Sequence, residues 1–225
     1  SAILKRLEAA GRKHPCITAD VQFHVDMLQL ADSEDRTGTV YYQAPTEKEA
    51  GKFRVHFETL KQGEGARIRD RVDYVFDGQW LTARKERSKT YIRYQVAPPG
   101  KRVNPLELGK GPFPVPFGQE TAEVLKRFKV TARPRQKDDP KGADYLKLVP
   151  RRQFKRTMTL QWVEMWVRAD GLPVKIRAQD RSENRTTVTF ENVRTPERFE
   201  DKIFNLPRPG AGWEYRVEKF KGKVE

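Results

Sequence analysis

Apolar and polar positions change period twice along the chain. Ile3, Leu4 and Leu7 stand at helical spacing ahead of Gly11, which predicts a helix over residues 2–10 closed by that glycine. After Pro15 the period falls to two. Cys16, beside the proline, is expected in a turn; Val21, Phe23, Val25 and Met27 then alternate with Gln22, His24 and Asp26, the pattern of a strand with one buried face. Segments 38–42 and 53–57 repeat the alternation, and Ile68, Val72, Tyr74 and Phe76 share one parity that Asp70 interrupts. Asp77-Gly78 is a hairpin signal leading into Trp80-Leu81, and a further strand is expected over residues 91–96. Short turns join these strands, so residues 18–96 read as an antiparallel meander.

The middle of the chain differs. Residues 97–116 are rich in proline, with Leu106, Leu108, Phe113 and Val115 among the prolines and Phe117 just after them. Proline removes a ladder donor and fixes φ, so no central strand can run here. Long connections without regular structure are mostly functional or disordered, and the Phe and Leu content argues for packing. Thr121, Val124, Leu125 and Phe128 then fall on one helical stripe. Strand patterns return at 128–132, 145–149, 160–167, 173–179, 185–193 and 213–217, the segments of a second meander over residues 129–217. With no internal repeat and no break in composition, residues 1–225 are expected to form one domain. The expected fold is mainly β: one large, strongly bent antiparallel sheet of about eleven strands, with the helices and the 97–128 segment as candidates to cover its concave face.

Composition narrows the classes. Lys and Arg number 45 against 31 Asp and Glu, a net charge of +14, yet the chain also holds four Trp, seven Tyr and 12 Phe. So many aromatics do not suit a disordered polyelectrolyte. No apolar run reaches the roughly 18 residues of a membrane span. A lone cysteine excludes an intrachain disulfide and a CxxC-type zinc site. The positive surplus would attract any polyanion. It is spread along the strands without zinc-finger, recognition-helix or RNP patterns, so no nucleic-acid partner is expected.

Candidate chemistry is sparse. His24 and His56 sit on the polar parity of their strands and should face outward, and no HxH or HxxxH spacing accompanies them, so no metal is expected. GxSxG, GxGxxG and Walker patterns are absent. Gly109-Lys110-Gly111-Pro112 has the look of a phosphate loop, but Pro112 cannot open a helix of amide donors. Asp138-Asp139 and the Glu47/Glu49 pair lie in polar loops, where solvation explains them. The chain therefore reads as a non-enzyme without a cofactor. What stands out is apolar surface: Phe23, Val25, Phe53, Val55, Phe57, Val72 and Tyr74 on one parity, Trp80 beyond the hairpin, and Leu106, Phe113 and Phe117 in the lid. Such a face is either a packed core or the wall of a cavity for an apolar ligand, and composition does not separate the two.

The order of motifs adds a resemblance. Gly38-Thr39-Val40-Tyr41-Tyr42-Gln43-Ala44-Pro45 followed by Gly51-Lys52-Phe53-Arg54-Val55 resembles a hairpin of the LolA/LolB-like lipoprotein carriers. Val75-Phe76-Asp77-Gly78-Gln79-Trp80, Asp170-Gly171-Leu172-Pro173 and Phe190-Glu191-Asn192-Val193 with Phe204-Asn205-Leu206-Pro207 are similar to later motifs of that family. Three departures stand out: Ala44 replaces a family arginine that helps latch the lid, residues 46–50 are inserted, and segment 98–118 is long. The resemblance implies an unclosed antiparallel β-barrel with a helical lid over a hydrophobic concave face, and a non-enzymatic, monomeric carrier that holds acyl chains of lipoproteins or other lipids and moves them toward the outer membrane. Its partners would be that cargo, an inner-membrane transporter as donor and an outer-membrane acceptor. The implied location is the periplasm, and Ser1 in place of Met suits a removed signal peptide. An envelope sensor or protein-interaction module on the same scaffold is the alternative.

Overall fold

The computed structural model describes residues 1–47, 49–96 and 117–220. Helix α1 (Ala2–Lys13) leads into β1 (Cys16–Met27), β2 (Asp32–Gln43), β3 (Lys52–Gln62), β4 (Ile68–Phe76), β5 (Trp80–Lys85) and β6 (Thr90–Gln95). Helix α2 (Thr121–Arg127) precedes β7 (Phe128–Arg133), β8 (Ala143–Pro150), β9 (Leu160–Arg168), β10 (Pro173–Asp180), β11 (Arg185–Arg194) and β12 (Glu214–Glu218). Among the described residues the twelve strands form one sheet, ordered β12-β6-β5-β4-β3-β2-β1-β11-β10-β9-β8-β7. Its outer strands, β12 and β7, do not pair, so the barrel is unclosed. Among the described residues no helix is long and apolar enough to cross a membrane.

Each meander pairs its strands in chain order, and the two are joined where β1 meets β11 antiparallel. Opposite partners share a face, and this carries the apolar parity across the sheet. Ile17, Ala19 and Val21 of β1 oppose Tyr42, Val40 and Gly38 of β2. These oppose Phe53, Val55 and Phe57 of β3, which in turn face Phe76, Tyr74 and Val72 of β4. On the other side of β1, Val21 and Phe23 oppose Phe190 and Val188. Ile176 and Ala178 of β10 carry the same face to Met165 and Val163 of β9. This inner face, with Leu4, Leu7 and Ala10 of α1 and Val124 of α2 packed against it, is the hydrophobic core. Gly171 makes the docking of α1 possible. It sits at φ +85°, and a Cβ there would come within 2.4 Å of the Arg6 carbonyl oxygen.

Three local expectations are corrected. The first helix runs through Gly11 to Lys13, because the His14 amide donates to the Ala10 carbonyl at 2.9 Å and no left-handed cap is needed. Cys16 opens β1 and is buried, since the ladder already begins where the Ala44 amide donates to the Pro15 carbonyl at 2.7 Å. The final strand pairs parallel with β6, so the sheet is not wholly antiparallel. The reason lies in the route of the chain. After β11 it crosses the outer face, where Arg54 donates to the Ile203 carbonyl (3.2 Å) and Tyr91 to the Leu206 carbonyl (2.8 Å), and it reaches the sheet edge running alongside β6.

Candidate functional site

The inner face gathers the apolar residues singled out from the sequence. Phe53, Val55, Phe57 and Val72 are buried on it, while Phe23, Val25 and Tyr74 are half-buried. Phe23 packs on Phe57 with ring centroids 5.4 Å apart, and Phe53 stacks on Phe76 at 5.8 Å. Trp80 does not join them. The pairing of Leu81 with Phe76 fixes the inner parity of β5, so Trp80 faces outward, where the Arg93 guanidinium lies 4.7 Å from its ring centroid. Leu106, Leu108, Phe113 and Val115 lie outside the described residues.

One end of the inner face is closed by packing. Phe117 is buried, stacked on Tyr42 at 5.6 Å and edge-on to Phe190 at 5.5 Å. Burial pushes the Tyr42 hydroxyl up to about 12. Gly118 follows at φ +68°, its Cα so close to the Tyr42 hydroxyl that a Cβ would overlap it. The Thr121 amide then donates to the Glu8 carboxylate of α1 at 3.3 Å. The chain leaving the proline-rich segment is thus held by an aromatic stack and a helix-to-helix hydrogen bond, with Ala44 lining the cleft beside them.

Toward the other end the inner parity turns polar. Arg36 lies opposite Phe23, with its guanidinium 5.8 Å from the Phe57 ring centroid. It pairs with Glu34 at 2.5 Å, and its Nη1 sits 3.0 Å from buried Asp70 without the alignment of a hydrogen bond. Sequence reasoning missed this cluster. The signal was present, since Asp70 was the one break in the apolar parity of β4.

The outer face carries charge networks instead. Buried Asp73 accepts from Arg54 (2.8 Å) and from His56 Nδ1 (2.8 Å), and the other His56 nitrogen contacts Glu58 at 2.7 Å. His24 lies between Asp35 (2.8 Å) and Asp26 (3.0 Å). The hydrogen bond with Asp73 lifts the His56 pKa above its ordinary value against the opposing pull of burial. For His24, burial lowers the pKa, but Asp35 and Asp26 outweigh it and the net shift is upward. A raised folded-state pKa means stability that is complete below the unfolded value of about 6.5 and lost as pH climbs through the folded one. Asp73 works the other way. Burial would raise its pKa, but His56 and Arg54 hold it below the usual range, so its contribution is present above about pH 3.9 and lost in acid. The melting temperature is therefore expected to fall by a few degrees as pH rises from about 6.5 into the alkaline range, and to fall less in a His24→Gln/His56→Gln variant. Equal slopes for the two proteins in calorimetry would contradict the assignment.

Residues 107–207 match the family model of the outer membrane lipoprotein carrier protein LolA. No curated protein matches the chain. A conserved protein of solved structure from Thermus thermophilus is 13% identical, with a TM-score of 0.53 over 96% of this chain and 98% of its own. A putative outer membrane lipoprotein-sorting protein domain from Vibrio parahaemolyticus is 12% identical, with a TM-score of 0.39 over 91% of this chain and 95% of its own. A LolA superfamily protein from Nitrosomonas europaea is 15% identical, with a TM-score of 0.38 over 91% and 96%. Residues 107–207, just under half of the chain, are thus similar to the lipoprotein-carrier family, and the described strands form one unclosed sheet with helices packed inside it.

Proposed function

We propose that this protein is a non-enzymatic carrier of acyl lipids in a Gram-negative-type envelope, holding acyl chains against the inner face of its sheet. The carrying observation is the graded burial of that face. Phe53 and Phe76 are sealed at its packed end, while Tyr74 part-way along and Phe23 and Val25 toward the other end, on the same parity, remain half-buried. Large apolar side chains in continuous register that stop short of full burial are a ready surface for an apolar ligand. The match to the lipoprotein-carrier family supports the same reading and favours a periplasmic setting, lipoproteins or other acyl lipids as cargo, and donor and acceptor proteins at the two membranes.

A fluorescent fatty-acid probe tests this directly. Saturable uptake is expected, and Phe23→Asp should weaken it about tenfold or more, since burial of such a side chain against a ligand is worth roughly 1.5–3 kcal/mol. Absence of uptake by the wild-type protein would favour a protein-interaction module instead.

A further inference from the structure

Three strands of the first meander, β2 and β4 on either side of β3 and β5 beyond, change chemistry at the same end of the inner face. On β2 the inner parity reads Tyr42, Val40, Gly38, then Arg36 and Glu34; on β4 it reads Phe76, Tyr74, Val72, then Asp70; on β5 it reads Leu81, Ala83, then Lys85. The register sets Lys85 directly opposite Val72. Together with Arg87 and Ser88 of the following turn, these groups line a cavity of about 520 Å³ that takes in Val72 and Tyr74 as its apolar wall.

Charges pointing into an otherwise apolar face are costly unless paired. Arg36 and Asp70 meet that requirement by pairing with each other, and Arg36 also holds Glu34. Lys85 and Arg87 do not. Both are exposed on the rim and have no ion-pair partner among the described residues. Ser88 Oγ accepts from Thr90 at 2.9 Å, which leaves its own proton free to donate. The cavity thus offers three cations against two carboxylates, and the two unpaired cations and the free hydroxyl sit on one side of it.

We infer that this end of the inner face receives the phosphate of a phospholipid headgroup, held by Lys85, Arg87 and Ser88, while the acyl chains run back over Val72, Tyr74 and Phe23. The inference rests on the carrier reading and adds a headgroup class to it. The fixed Arg36–Asp70–Glu34 cluster marks the level at which apolar lining ends, and the phosphate oxygens take up the donors beyond it.

The test uses the whole chain and short-chain soluble ligands: dihexanoyl phosphatidylglycerol, dihexanoylglycerol, glycerol phosphate and inorganic phosphate. The phospholipid is expected to bind about tenfold more tightly than the diacylglycerol, by an amount that shrinks as salt is raised. A Lys85→Ala/Arg87→Ala variant should lose that advantage while keeping both its diacylglycerol affinity and its melting temperature. Equal affinity of the wild-type protein for the two lipids, or an undiminished preference in the variant, would overturn the headgroup site and leave the carrier intact. Competition by glycerol phosphate or inorganic phosphate at matched concentration would show a site for free anions, and the headgroup inference would be wrong. If neither lipid binds, the carrier reading fails and the inference falls with it.

Discussion

Phe57→Asp is expected to leave little folded protein at 25 °C. Phe57 is only 2% exposed, lies opposite Gly38 on one side and Val72 on the other, and packs its ring against Phe23. Losing the ring alone costs about 3–5 kcal/mol by analogy with large-to-small core changes. A carboxylate in its place adds several more, because Arg36, the cation over the ring, is already engaged by Glu34 and Asp70. That sum is comparable to the whole stability of an ordinary domain, about 5–15 kcal/mol. Phe57→Leu, which keeps an apolar side chain of similar reach, should cost far less and serves as the control. Circular dichroism and a thermal scan decide it. A cooperative transition for Phe57→Asp within a few degrees of wild type would mean that the inner face is wet at its centre, and the core described above would be wrong.

Phe117→Ala is expected to lower the melting temperature by on the order of 10 °C. The lid reading of the sequence treats Phe117 as part of a cover, whose removal should cost binding more than stability. In the structure it is 2% exposed between Tyr42 and Phe190, residues of β2 and β11, and so ties the return of the proline-rich segment to strands from both meanders. A thermal scan that finds the variant as stable as wild type, with acyl-probe binding lost, would restore Phe117 to a purely covering role.

Much of the fold was legible because β parity is a strong code. Phe53, Val55 and Phe57 in one strand and Val72, Tyr74 and Phe76 in the next share a face only when the pairing keeps their parity, and the structure keeps it, with Phe53 opposite Phe76 and Phe57 opposite Val72. The Asp77-Gly78 turn and the Gly171-Leu172-Pro173 turn are likewise local signals, and both lie at strand connections in the structure. What could not be read depends on long-range pairing. Nothing local says that β1 will pair with β11, some 170 residues on, or that the last strand will run parallel to β6 after crossing the outer face. Trp80 was misplaced for a related reason. A tryptophan next to a turn looks like core, but its face follows from Leu81 opposite Phe76, and the outer face has its own use for aromatics. There Arg84 lies 5.0 Å from the Trp213 ring centroid and Arg133 3.7 Å from that of Tyr145, so some of the cations on that face are engaged by aromatic rings. The polar end of the inner face was the subtler loss. Asp70 was seen as an interruption, and its meaning needed Arg36, a residue from a strand two places away in the sheet.

The central claim is that acyl chains lie on the inner face, and the four native tryptophans make it testable. Trp80, Trp162 and Trp166 stand on the outer parity of β5 and β9, and Trp213 stacks over Arg84 on the outer side. Brominated fatty acids quench tryptophan only on near contact. Bound to wild-type protein they are expected to leave its tryptophan emission almost unchanged, whereas in a Tyr74→Trp variant the added emission should be strongly quenched. Strong quenching of the native tryptophans, with none of the inner-face reporter, would place the lipid on the outer surface and contradict the account.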